Sequence, residues 1–88
     1  MSTDTPTARE ELTVTEVDGE LLVLNEAAGQ VHRLNATAAF VFEHCDGDNT
    51  KADIAERIVA TFDVSPEVAA RDLDELLTTF RDNQLLSD

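Results

Sequence analysis

An α+β domain is what this 88-residue chain predicts, in the order β-β-β-α-α-α. Three observations carry that expectation. Up to Leu34 the apolar residues alternate or run in short stretches parted by turn residues, whereas beyond Asn35 their spacing becomes helical. Helix-start signals stand at Asn35, Thr50 and Ser65. Strands and helices fall in separate blocks, which favours a sheet with helices gathered beside it over an alternating α/β chain.

Residues 1–10 are small, polar and aperiodic around Pro6, and read as a flexible tail. Residues 11–17 alternate, with Leu12, Val14 and Val17 among Thr13, Thr15 and Glu16, so a half-buried strand is expected. Asp18-Gly19 is a hairpin turn signal. Glu20-Leu-Leu-Val-Leu-Asn25 is more continuously apolar and fits a central strand covered on both faces. Residues 26–29 form a loop in which Gly29 can take positive φ. Gln30, Val31, His32, Arg33 and Leu34 return as the third strand of an antiparallel meander.

Asn35 caps the first helix, 36–45, because its side-chain oxygen accepts a free backbone N–H of the first turn. Asp46-Gly47-Asp48 stops it. Thr50-Lys-Ala-Asp53 resembles a capping box with Asp in place of Glu. The second helix runs to about Phe62 with Ile54, Ala55, Ile58, Val59 and Phe62 on one face. Ser65-Pro66-Glu67 supplies cap, first-position proline and first-turn acid for the third. That helix carries Ala69, Leu73, Leu76, Leu77 and Phe80 to about Asn83, and Leu85-Leu86 fold back onto the core. Three short helices with tight connections beside a small sheet suggest a winged helix-turn-helix arrangement. Neither internal repeats nor low-complexity segments interrupt it.

The length fits one domain. Hydrophobic residues make up 42%, too many for a disordered chain, and four Phe with neither Trp nor Tyr leave no platform for stacking bases. The net charge is −13, from 19 acids against Lys51 and five Arg. Long-range repulsion therefore opposes nucleic acid and anionic membrane, while a partner segment with some positive charge is attracted. The plainer meaning of the charge is a solvated, soluble surface. Cys45 stands alone, so no disulfide can form within the chain, which suits a reducing cytoplasm. No signal-peptide pattern opens the sequence, and no apolar run approaches the roughly 20 residues of a membrane span.

Readings that would carry chemistry fail in turn. His44 and Cys45 are helix neighbours whose side chains diverge by roughly 100°. Metal ligands must converge, and His32 is the only other soft candidate. Cys45 reads as a small buried hydrophobe, since nothing marks an oriented base or an oxyanion site for a nucleophile. The acidic stretch from Asp46 resembles a calcium loop only superficially: Lys51 and Arg57 stand where an EF-hand needs Gly and Glu. Asp72, Asp74 and Glu75 share the polar face of the third helix with no pocket signal, so no acid–base role is assigned. There is no Gly-rich phosphate loop and no Asp-Ser-Leu attachment site. No cofactor is implied.

What remains is an interface. A third strand with a free edge is a hazard unless it is short, charged or used. On strand physics alone, the short Gln30-to-Leu34 stretch with His32 and Arg33 reads first as a protected edge. The second reading is addition of a peptide strand, in which backbone bonds give affinity and alternate side chains enter pockets.

Certain runs then matter together. They are Asp18-Gly-Glu-Leu-Leu-Val-Leu-Asn25, Gly29-Gln-Val-His-Arg-Leu-Asn35-Ala-Thr-Ala-Ala, Cys45-Asp-Gly47, Ile54-Ala-Glu-Arg-Ile, Phe62-Asp-Val-Ser-Pro-Glu67 and Asp72-Leu-Asp-Glu-Leu-Leu77. In their order and spacing, from about Leu12 to Leu86, the chain resembles the PqqD-like family, also called RiPP recognition elements. The Leu-Asn-x-Thr-Ala step followed by the Asp-Gly turn is the most distinctive part.

The resemblance implies three strands and three helices, no enzymatic activity, and capture of the leader region of a ribosomally made precursor peptide. It makes residues 11–88 the peptide-binding domain. The leader would add to the third strand and lie against the third helix. A modifying enzyme, often a radical SAM maturase, then acts on the core peptide. Carried over by position, the backbone of Val31, His32 and Arg33 pairs with the leader, within a stretch from Gln30 to Leu34. Arg33 and Asp72 offer charge selection, and Leu73, Leu76, Leu77 and Phe80 are divided between core and groove. The resemblance makes strand addition the leading reading. Against it stand a winged-helix transcriptional regulator, which the charge opposes, and a protein–protein adaptor. The exposed edge also leaves a homodimer open.

Overall fold

The computed structural model describes residues 5–87. Asp18 and Gly19 both take positive φ, 53° and 82°. That is the type I′ turn whose twist matches a two-residue hairpin. It joins β1 (Thr13–Val17) to β2 (Glu20–Asn25). The buried Asn25 side chain accepts the Ala28 N–H at 3.1 Å and so closes the loop leading to β3 (Gln30–Leu34). The sheet is an antiparallel meander, β1-β2-β3, with the expected central strand.

Two expectations about this sheet fail for one reason. β1 is exposed throughout, with Val14 and Val17 at 45% and 47%, instead of half-buried. β2 alternates, with Leu21, Val23 and Asn25 buried and Leu22 and Leu24 half-buried, instead of being covered on both faces. Helices lie on one side of the sheet only, where α1 (Ala36–Glu43) packs on β2 and β3, and no helix covers β1 to a comparable extent.

The helices begin where the caps place them. Asn35 Oδ1 accepts the Ala38 N–H at 2.9 Å. Thr50 and Asp53 form the full reciprocal box at the head of α2 (Lys51–Phe62). Ser65 accepts from Val68 at the head of α3 (Pro66–Asp82), with Pro66 at the first position. α1 stops two residues early, because His44 and Cys45 turn their N–H groups to Val41 and Phe42 carbonyls in a tighter final turn. Below it, Asp46 accepts the Asp48 N–H, which holds its carboxyl below the usual carboxylate range. α2 and α3 pack along each other, joined at one end by Lys51–Asp74 at 2.8 Å. The core is centred on Val23, Val41, Ile54, Leu73, Leu77 and Phe80, with Phe42 edge-on to Phe80 at 5.7 Å. Leu85 and Leu86 close it, both buried.

The segment expected to be a loose tail is tied down over residues 5–9; residues 1–4 lie outside the described residues. Ala8 N–H donates to Cys45 O at 2.8 Å and Arg9 N–H to Leu85 O at 3.0 Å. Gly47 N–H donates to Pro6 O, and Ser87 N–H to Thr7 O at 2.9 Å. Pro6 is buried. The strap threads between the turn after α1 and the C-terminal return, bonding both. Gly47 permits this approach: its φ is +85°, and a Cβ there would stand 3.0 Å from Thr7 Oγ1. Polarity made this segment look loose, but its main chain supplies the contacts, and composition does not register those.

Candidate functional site

β3 borders β2 on one side and, among the described residues, no strand on the other. The register decides which of its main-chain groups are free. In a two-residue type I′ hairpin the residues flanking the turn form a bonded pair, and bonded and non-bonded pairs alternate from there. Val17↔Glu20 is that closing pair, so Thr15↔Leu22 and Thr13↔Leu24 are bonded as well. Glu20, Leu22 and Leu24 thus direct their N–H and C=O groups to β1. Leu21, Val23 and Asn25 direct theirs to β3, opposite Leu34, His32 and Gln30. Val31 and Arg33 are left with their main chain pointing to the open edge. The main chain of His32 is engaged by β2, so its expected share in an added ladder is withdrawn.

The same register sorts the side chains, because opposed residues share a face. Gln30, His32 and Leu34 lie on the helix side with Leu21 and Val23. Leu34 is buried in the core, and His32 is half-buried, 3.2 Å from Gln30 Oε1. Val31 and Arg33 lie on the outer face. Val31 is 64% exposed beside Leu24. Arg33 is turned away from the helices and fixed, its Nε and Nη2 each 2.6 Å from Glu20 Oε1.

α3 packs on α2 and touches α1, without comparable contact to β3. A depression of about 360 Å³ lies where the start of α1, just past the end of β3, faces α3. Its walls are Asn35 and Thr37 on one side and Asp72, Glu75, Leu76 and Thr79 on the other. Of the α3 residues singled out from the sequence, Asp72 and Leu76 line it. Leu73, Leu77 and Phe80 are each 1% exposed and belong to the core. Their spacing from Ala69, i+4, i+4 and i+3, is the true core stripe. Asp72, Leu76 and Thr79 run parallel to it one step round the helix.

Sequence reasoning missed Asn35, Thr37, Glu75 and Thr79. Glu75 and Thr79 were within reach, at i+3 and i+7 from Asp72. Asn35 and Thr37 carried only a cap and a helix signal, and nothing local tells that their outer sides meet α3.

Chemistry finds little purchase elsewhere. His44 Nδ1 lies 2.8 Å from Phe40 O, its ring tilted 36° against that of Phe40, while Cys45 Sγ donates to Val41 O at 3.2 Å. The two side chains diverge, and the described residues contain no group of three or more potential metal ligands. No described helix is long and apolar enough to cross a membrane.

The family model for coenzyme PQQ synthesis protein D, PqqD, matches residues 20–86. No curated protein sequence matches the chain. Among solved structures, the chain is similar to lasso peptide synthetase B1 complexed with the leader peptide. The TM-score is 0.85 at 25% identity, covering 96% of this chain and 99% of that one. It also superposes on TbiB1 in complex with the TbiA(beta) leader peptide, with a TM-score of 0.84 over 92% of this chain and 94% of that one; at 20% identity this concerns the fold.

Proposed function

Since the chain belongs to the PqqD family, we propose that it captures the leader segment of a ribosomally synthesised precursor peptide and presents it to a modifying enzyme. The leader adds as a fourth strand to β3, bonded through Val31 and Arg33, and its helix-side residues enter the depression lined by Asp72, Glu75, Leu76 and Thr79. The observation that carries this reading is the coincidence of a free strand edge with a depression beside the end of that strand. Support comes from lasso peptide synthetase B1, a similar chain whose structure is a leader-peptide complex. In this role the protein is a binding partner and not a catalyst, and a radical SAM maturase is one class of enzyme it would serve.

Strand addition has a measurable signature. Titrating the isotope-labelled protein with its cognate leader peptide should shift the Val31 and Arg33 amides most within β3. Saturable binding that leaves both amides unmoved would rule out this mode of capture.

A further inference from the structure

The depression beside β3 has a distinctive charge environment. Among the described residues its only ionisable lining groups are Asp72 and Glu75, and no Lys or Arg contributes to its walls. The neighbouring acid on α3 that does not line it, Asp74, is held by Lys51 at 2.8 Å. Among the described residues Asp72 has only Arg71 Nε at 4.0 Å, an exposed pair at the limit of contact. Glu75 makes no ion pair among the described residues; the nearby Thr79 hydroxyl donates to its main-chain carbonyl instead. Asp72 and Glu75 stand at i, i+3, so their carboxylates are neighbours on one helix face and repel each other. Leu76 lies beside them, half-buried, and gives the depression its apolar surface.

An extended peptide bonded to β3 turns every second side chain to the helix side of the sheet, and the one nearest the end of β3 reaches this depression. A Lys or Arg there would lay its methylene stem over Leu76 and bring its head to the two carboxylates, a match for a side chain that is apolar along its length and cationic at its tip. Arg adds donors in a planar fork that suits paired carboxylates. An acidic residue at the same position would meet two unneutralised like charges. Arg33 cannot offset them, since it lies on the opposite face of the sheet and is bound to Glu20.

We infer that the depression between the start of α1 and α3, just past the end of β3, selects peptide strands carrying Lys or Arg at one position that faces it, with the stem on Leu76 and the head between Asp72 and Glu75. This rests on the strand-addition reading above and adds its specificity. The site takes an extended basic segment, and recognition comes from α3 and not from the charged residue of β3 itself.

The test selects random 12-residue peptides, displayed on phage, on the immobilised full chain. Selected sequences are then synthesised for titration by calorimetry and amide shifts. The expected result is enrichment of Lys or Arg at a fixed position, with shifts at Val31 and Arg33. Affinity should fall about ten-fold in the Asp72→Asn, Glu75→Gln double variant. The Glu67→Gln, Asp82→Asn double variant, which removes the same charge elsewhere on α3, should leave affinity within about two-fold. Peptides that shift Val31 and Arg33 without basic enrichment, or that lose no more affinity in the groove variant than in the control, overturn the specificity and leave strand addition standing. Selected peptides that leave both amides unmoved overturn the two together.

Discussion

Two stretches of extended chain lie at the margins of this fold, and they are treated in opposite ways. Residues 5–9 are bonded on both sides, to the turn after α1 and to the C-terminal return. β3 is bonded on one side and open on the other. An open edge is therefore not simply what a small domain leaves behind for want of chain. A segment able to pair is present, and it is spent on closing the far seam. The open edge also lacks the usual protection: the main chain of Val31 and Arg33 faces outward, and the one basic side chain there is turned to the outer face and neutralised by Glu20.

The contrast can be broken most forcefully within β3. His32→Pro removes a ladder donor and leaves the Val23 carbonyl without its partner, so a loss of about 3 kcal/mol is expected in denaturant unfolding. Val31→Pro, one residue away, removes an N–H that faces the open side. It should cost about 1 kcal/mol or less while weakening leader binding about ten-fold. A larger loss of stability in Val31→Pro than in His32→Pro would mean that the bonding alternation along β3 has been assigned the wrong way round.

A similar split should run through α3. Leu77→Ala opens a cavity in the core and should lower stability by about 3 kcal/mol. Leu76→Ala should cost about 1 kcal/mol and act mainly on peptide affinity. At the closed margin, Ala8→Pro takes away the bond to the Cys45 carbonyl, for an expected loss of about 2 kcal/mol. A thermal melt of that variant matching the unaltered protein would reduce the strap to decoration and weaken the contrast it supports.

Element order and helix starts were legible because they rest on local chemistry: Asn35, Thr50 and Ser65 each satisfy a backbone donor within three residues. Coverage was not legible. Nothing in Thr13–Val17 says that no helix reaches it, and the apolar run of β2 looks the same whether one face or two are packed. The groove was half legible. A single helical arc holds Leu73, Leu76, Leu77 and Phe80, and only packing separates Leu76, on the rim, from the three inside. Asn35 and Thr37 join the site through the way α1 sits against α3, a relation between distant parts of the chain that no local pattern encodes.

Thr7 O accepts both the N–H and the hydroxyl of Ser87, at 2.9 and 3.2 Å, so positions 7 and 87 are next-door neighbours. The fold is a ring in all but covalent connection. Joining these positions through a short linker and opening the exposed loop at 26–29 would change the starting point of the chain, giving up Pro6 and its bond to Gly47 while keeping the rest of the packing. In such a permutant β3 becomes the leading strand, and a peptide fused ahead of it would begin its path at the lip of its own groove.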